Sequence, residues 1–175
     1  MTTTTTQYLQ QLDQGLKTLE QALSSFDEDT LNRKTSNGGW SAIQCMHHLI
    51  LSEEGSLAYV KKKLSFSPQL PDKNLGSSLR SQLLVGYLKS PIKRKAPSYI
   101  SGDALPQRAS LADTMKRWNN GRQDLQAFLQ ELDPKWYNKQ VYKHPFSGRI
   151  SIDNMLAFFL AHFQRHRKQA LRAVG

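Results

Sequence analysis

Residues 160–169 read Leu160-Ala-His-Phe-Gln-Arg-His-Arg-Lys-Gln169 and place two histidines four residues apart. In an α-helix, side chains at positions i and i+4 lie on one face, with their β-carbons roughly 5–6 Å apart. This spacing lets two imidazoles bind one metal ion. The alternative is that both histidines are structural and form hydrogen bonds with backbone or carboxylate groups. His162 and His166 also fall among apolar residues that recur at helical spacing: Ile152, Met155, Leu156, Phe159, Phe163 and Ala170. A metal would stabilise two inward-facing imidazoles there.

The apolar pattern and the capping residues predict an all-α fold. Ser41, Ser110 and Ser151 each precede an apolar segment, where a serine is a favourable helix N-cap. The predicted helices cover about residues 7–26, 42–64, 75–88, 111–132 and 152 onward. This pattern is typical of a four-helix bundle with a short extra helix and a long loop between the second and fourth helices.

The segments between the long helices are expected to be irregular. Prolines punctuate residues 65–109, so we expect a long loop there apart from the short helix, in which Leu79, Leu83 and Tyr87 are in register. We predict no strand of convincing length, only a short extended piece at 140–142. One domain is expected over residues 1–175, with the threonine-rich residues 1–6 as a frayed tail.

Composition and charge limit the classes of function. The chain is 38% hydrophobic and 22% charged, as in a globular protein, and no apolar run approaches the roughly 20 residues that span a membrane. We therefore expect no membrane partner. The single cysteine, Cys45, excludes an internal disulfide and favours a reducing, cytoplasmic compartment. The net charge of +10 is spread over separate clusters without a nucleic-acid-binding motif, so we do not expect nucleic acid as the main partner.

A second histidine cluster, Cys45-Met-His-His48, can supply a third metal ligand. Catalytic metal sites often use three protein ligands and leave a further position open. Periodicity leaves both His47 and His48 as candidates, and the small residues Ser52 and Gly55 on the face of His48 favour His48 because they could border a cavity. Cys45 is interpreted as a small buried hydrophobe, with a fourth ligand or a nucleophile as the alternative.

Three short motifs occur in order along the chain. They are GGWSAIQCMHHL at residues 38–49, HPFSG at 144–148 and HFQRHRKQ at 162–169. Together they resemble the DinB/YfiT-like superfamily, and the resemblance spans the whole chain. It implies an up-down-down-up four-helix bundle with zinc or nickel bound by three histidines. Carried over by position, the implied ligands are His48, His162 and His166.

The resemblance also implies an activity. Known members include thiol-dependent transferases and isomerases, and hydrolases have been proposed. Three neutral imidazoles leave a metal its full double charge, which acidifies a bound water or thiol. The chain is therefore predicted to be a metal-dependent thiol S-transferase or hydrolase acting on a small molecule, such as a low-molecular-weight thiol, and to form a homodimer. The alternative is a non-catalytic metal-binding or stress-response module.

Three further residues are candidates for the surroundings of the metal. Gln169, one turn after His166, could orient that imidazole, or it is a plain surface glutamine. His144 either shapes the start of the last helix or lines the pocket, and Tyr59 shares the face of His48.

The remaining candidates are less specific. Glu53 and Glu54 lie on the helix of His48, but no general base is chosen from them. Trp40 and Trp118 are expected in the core. The basic residues 89–95 would favour an anionic substrate if they lay over the pocket.

Overall fold

The computed structural model describes residues 1–90, 92 and 97–175, which are helical over most of their length. A two-stranded antiparallel hairpin, β1 (Tyr142–His144) and β2 (Gly148–Ile150), precedes the last helix. None of the helices described is both long and apolar enough to cross a membrane. The predicted all-α four-helix bundle is confirmed. The α-helices of the described residues are α1 (Thr3–Leu23), α2 (Glu28–Asn32), α3 (Ala42–Ser65), α4 (Leu75–Lys89), α5 (Leu111–Glu131) and α6 (Ile152–Val174).

The predicted N-caps determine where three of the long helices begin. The side chains of Ser41, Ser110 and Ser151 each accept a hydrogen bond from the backbone N–H three residues further on. At Ser41 the capping is reciprocal, because the Gln44 side chain accepts from the Ser41 N–H. These bonds satisfy backbone donors that the helix itself leaves unpaired.

Helix α6 holds the bundle together. It packs against α1, α3 and α4, while α5 packs against α3. The approach of α1 to α6 is close, because a β-carbon at Gly15 would lie 2.6 Å from Phe163 Cε1. Because α6 packs directly against α3, side chains from these two helices can meet inside the bundle.

The N-terminal threonines are ordered, and the prediction of a frayed tail was wrong. Helix α1 begins at Thr3, and the Thr2 side chain caps it by accepting from the Thr5 N–H. The buried Thr5 Oγ1 donates a 2.7 Å hydrogen bond to Asp153 Oδ1, and Thr2 Oγ1 donates to the same oxygen at 3.2 Å. Because Asp153 lies in the first turn of α6, the threonines join the starts of two helices. The local sequence could not show this, since the partner is 148 residues away.

Helix α4 occurs where it was predicted, but it is rotated differently from the prediction. The face that carries Leu79 and Leu83 is exposed, and another face is buried. Leu75, Leu79 and Leu83 are 90%, 57% and 66% exposed and form what we call the α4 leucine stripe. The helix is apolar on two opposite sides, so periodicity alone could not choose between them. Its buried residues are Ser77, Ser81, Leu84 and Leu88.

The hairpin before α6 differs from the single extended piece expected at residues 140–142. Its strands are only three residues long, which is too short for a clear alternating pattern. Gly148 opens β2 with a φ of +70°, a conformation that favours glycine. The hairpin places His144 on its buried side.

Candidate metal centre

Three imidazoles meet between α3 and α6. His48 of α3 and His162 and His166 of α6 each offer a ring nitrogen, and these nitrogens all lie within 4.8 Å of one another. His48 Nε2 is 3.0 Å from His162 Nε2. The ring centroid of His166 is 4.5 Å from that of His48 and 4.7 Å from that of His162. The structure thus brings together the three histidines named from the sequence.

A backbone carbonyl determines the tautomer of His48. His48 Nδ1 lies 2.7 Å from the carbonyl oxygen of Ile100. Since a carbonyl only accepts, Nδ1 carries the proton, and neutral His48 presents the lone pair of Nε2 toward His162. In this arrangement His162 Nε2–H donates to His48 Nε2. The lone pair of His48 therefore points into the cluster.

Burial keeps the cluster uncharged near neutral pH. It lowers the pKa of His166 to about 3, with the neighbouring His48 imidazole as the next cause. The pKa of His162 lies well below its ordinary value, first through burial and then through His166 and His48. The pKa of His48 is also lowered by burial, although its bond to Ile100 opposes this. Neutral imidazoles are the form that binds metals.

One nitrogen of the cluster lacks a partner. His166 Nδ1 is buried and has no hydrogen bond within the described part of the chain. The Gln169 side chain is close enough to oppose the lowering of the His166 pKa, but it leaves this nitrogen unpartnered. Unpaired buried nitrogens are costly, and neutral imidazoles are ligands that zinc and nickel accept. The residues present therefore fit a divalent transition-metal ion.

The other members of the second histidine cluster face elsewhere. His47 Nε2 is 3.2 Å from Thr114 Oγ1 on α5, so its ring points away from His162. Cys45 is fully buried, and burial raises the pKa of its thiol to about 12. It is a small core residue, neither a fourth ligand nor a reactive nucleophile.

Trp40 belongs to this site, although it was predicted to be a core residue. Its ring centroid lies 4.8 Å from that of His48 and 5.9 Å from that of His166, and its side chain is only partly buried. Its position directly before the Ser41 N-cap and eight residues before His48 was the available signal. Trp118, by contrast, is a core residue as expected.

The acidic candidates on α3 face away from the imidazoles. Glu53 accepts hydrogen bonds from Arg122, and Glu54 forms a two-bond ion pair with Arg117. Both arginines lie on α5, which packs against α3. Neither glutamate is placed to act as a base for a group bound at the cluster.

The remaining candidates lie at different distances from the cluster. Tyr59 lies far from the cluster, because its position on α3 is roughly 16 Å along the helix axis from that of His48. It packs against Tyr142, with 6.0 Å between ring centroids. His144 is nearer, because it contacts Phe158, which stacks on His162. Of the basic residues in the segment 89–95 expected over the pocket, Lys93, Arg94 and Lys95 lie outside the described residues.

The family model described as the DinB superfamily matches residues 11–170. The chain belongs to this superfamily. Two relatives are provisionally named metal-dependent hydrolases. The protein from Bacillus mycoides (strain KBAB4) is 24% identical over 162 residues, covering 91% of this chain and 79% of the relative. The protein from Oceanobacillus iheyensis is 23% identical over 163 residues, covering 91% and 80%.

A solved DinB-like structure has the same fold. YfiT from Bacillus subtilis is described as a probable metal-dependent hydrolase with an unusual four-helix bundle topology. It matches 99% of this chain and 87% of its own, with a TM-score of 0.62 and 17% sequence identity. The family match over residues 11–170 confirms the resemblance to the DinB/YfiT-like superfamily drawn from the three motifs, and this structure confirms the fold.

Proposed function

We propose that this DinB-superfamily protein is a metal-dependent enzyme whose zinc or nickel ion is bound by His48, His162 and His166. The proposal depends on one observation, the three neutral imidazole nitrogens that lie within 4.8 Å of one another inside the bundle. The names of the two bacterial relatives point to the same class of activity. A divalent ion, when bound, supplies a Lewis acid that lowers the pKa of a water or thiol at its open position.

The surroundings of the three histidines support a catalytic rather than a purely structural metal. Within the described residues, no fourth histidine, cysteine or carboxylate joins the cluster. Structural zinc sites are normally closed by four protein ligands, whereas catalytic sites keep a position open. Ile100 holds the His48 tautomer, and Trp40 covers one side of the imidazoles.

We propose a small molecule as the substrate and either hydrolysis or thiol transfer as the reaction. The relatives' names favour hydrolysis, in which water is the nucleophile. A low-molecular-weight thiol would replace that water in a transferase. Turnover of acyl or amide substrates without added thiol would identify a hydrolase, and strict dependence on a thiol would identify a transferase. We place this activity in the cytoplasm, in keeping with the single, buried cysteine.

Elemental analysis of the purified, tag-free protein tests the metal site. We expect about one zinc or nickel per chain, because the three histidines form a single site. His48→Ala, His162→Ala and His166→Ala should each lose most of this metal, since each removes one of three ligands. His47→Ala is the matched control, because His47 is adjacent in sequence but bonds to Thr114 on α5. It should retain the metal.

Two results would contradict the proposal. One is a wild-type protein that takes up neither zinc nor nickel after incubation and dialysis. The other is that His48→Ala, His162→Ala and His166→Ala each keep as much metal as the control His47→Ala. Circular dichroism of every variant shows whether a loss of metal merely reflects a loss of the helical fold.

We also propose that the chain forms a homodimer, with the α4 leucine stripe as the surface to test. Three leucines exposed on successive turns of one helix are more apolar than most solvated helix faces. The double substitution Leu79→Glu/Leu83→Glu should convert a dimer to a monomer in sedimentation velocity without changing the metal content. Gln130→Glu adds charge at an exposed position of α5, off the leucine stripe, and should leave the dimer intact. A monomeric wild type would show that the dimer proposal is wrong.

A further inference from the structure

The hairpin before α6 holds one histidine in a defined tautomer. His144 ends β1 and is only 5% exposed. Its Nδ1 accepts hydrogen bonds from the backbone N–H groups of Phe146 at 3.2 Å and Ser147 at 3.3 Å. Because Nδ1 uses its lone pair for these bonds, the proton of the neutral ring is on Nε2. Burial lowers the pKa of His144 to about 4, which agrees with a neutral ring.

The His144 ring lies one side chain away from the three-histidine cluster. Its centroid is 4.5 Å from that of Phe158, with the two rings edge to face. Phe158 in turn stacks on His162, with 5.2 Å between centroids and 17° between ring planes. His144 is close enough to contribute to the electrostatic lowering of the His162 pKa.

The hairpin does not need the second nitrogen of this ring. Turn residues such as asparagine and aspartate accept N–H groups two and three residues on with a single side-chain oxygen, as Nδ1 does here. No described residue accepts a hydrogen bond from Nε2–H of His144. Within the described residues, a histidine therefore adds to the turn one oriented N–H donor that no other group accepts, so this donor is available to a bound molecule.

We propose that His144 Nε2–H is a substrate-binding donor of the metal centre, which hydrogen-bonds a carboxylate or carbonyl oxygen of a substrate whose other end binds the metal. The inference rests on the proposed function, because it requires a metal at His48, His162 and His166. It assigns to the substrate an acceptor oxygen a few bonds away from the metal-bound atom. It also gives the His-Pro-x-x-Gly motif, residues 144–148, a role beyond the turn.

Two substitutions separate the roles of the two ring nitrogens. In His144→Asn, the side-chain oxygen replaces Nδ1 and keeps the turn, but the Nε2–H donor is lost. In His144→Gln, the side-chain NH₂ group replaces Nε2–H, but the acceptor for the turn is lost. A role in the turn alone predicts that only His144→Gln matters, whereas substrate binding predicts that His144→Asn loses affinity.

The measurement uses cobalt-loaded protein titrated with thiols, whose binding to the metal is followed by near-ultraviolet absorption. The probes are mercaptoacetate, 3-mercaptopropionate and 4-mercaptobutyrate, each compared with ethanethiol, which lacks the oxygen acceptor. We expect the best of the acids to bind the wild type about tenfold more tightly than ethanethiol, the size of one hydrogen bond to a charged group. The tighter binding of the acids should disappear in His144→Asn, although the thermal stability of this variant should be unchanged. It should persist in His144→Gln.

The outcomes distinguish this inference from the function on which it rests. A protein that takes up no cobalt, zinc or nickel overturns the proposed function and this inference together. A protein that takes up the metal, but in which His144→Asn keeps the full advantage of the acids, overturns only the role of His144. The same holds if the wild type binds none of the three acids more tightly than ethanethiol.

Discussion

Replacement of Glu53 by alanine is expected to lower the free energy of unfolding by about 3–5 kcal/mol. The Glu53 carboxylate accepts hydrogen bonds from Arg122 at 2.6 and 2.8 Å and from Trp118 Nε1 at 3.1 Å. Glu53 is 8% exposed and Arg122 is 6% exposed. Without the carboxylate, the guanidinium charge would remain buried, and the Asp13 carboxylate at 3.8 Å from Nη1 is too distant to replace the lost hydrogen bonds. Urea unfolding followed by circular dichroism measures the loss.

The neighbouring glutamate provides the control for this prediction. Glu54 forms the same kind of two-bond pair with Arg117, at 3.0 and 2.7 Å, but both side chains are more than a third exposed. Glu54→Ala should therefore cost less than about 1 kcal/mol. The double substitution Glu53→Met/Arg122→Met should recover much of the stability, because it removes both charges. Equal losses for Glu53→Ala and Glu54→Ala would show that burial of the first pair is unimportant.

Acidification below pH 6.5 is expected to destabilise the metal-free protein by about 1.4 kcal/mol per pH unit for each buried imidazole. Burial lowers the pKa of His144 to about 4 and that of His166 to about 3, from an ordinary 6.5. The pKa values of His48 and His162 are lowered as well. Between the ordinary and the lowered pKa, the unfolded chain binds protons that the folded chain does not. The stability is thus fully present above pH 6.5 and is lost as the pH falls.

The size of this effect can be measured by urea unfolding of chelator-treated protein at about pH 7, 6 and 5. His144 and His166 alone should contribute a slope of about 3 kcal/mol per pH unit, a large part of the usual stability of a domain. His166→Gln removes one titrating group and should reduce the slope by about 1.4 kcal/mol per pH unit. A stability that does not change between pH 7 and 5 would mean that these imidazoles take up protons in the folded protein.

The helices of this bundle could be predicted with few errors because their signals are local. Ser41, Ser110 and Ser151 cap helices through backbone groups three residues away, so a short window of sequence contains both partners. The prediction failed where the partner was distant or the pattern was ambiguous. Thr5 bonds to Asp153, and α4 is apolar on two sides, so neither the order of the N-terminus nor the buried face of α4 followed from local pattern.

The candidate site shows the same division. The His162/His166 pair could be recognised because two ligands of one helix turn are set by spacing alone. Periodicity left both His47 and His48 open as the third histidine; the small residues Ser52 and Gly55 favoured His48, and the motif resemblance then selected it. The structure distinguishes the two histidines because they lie on different faces of α3: His47 faces Thr114, and His48 faces His162.

By itself, the sequence determined the helices of the bundle and, through its motifs, the three histidines, because helical period, capping and spacing act within a few residues. Only the tertiary structure decided that the Ile100 carbonyl sets the His48 tautomer, that Trp40 covers the imidazoles and that Glu53 pairs with Arg122. Ile100 takes part through its backbone, which no side-chain pattern reveals. The contacts of Trp40 with His166 and of Glu53 with Arg122 join different elements of the fold, whose relative placement depends on the packing of the whole core.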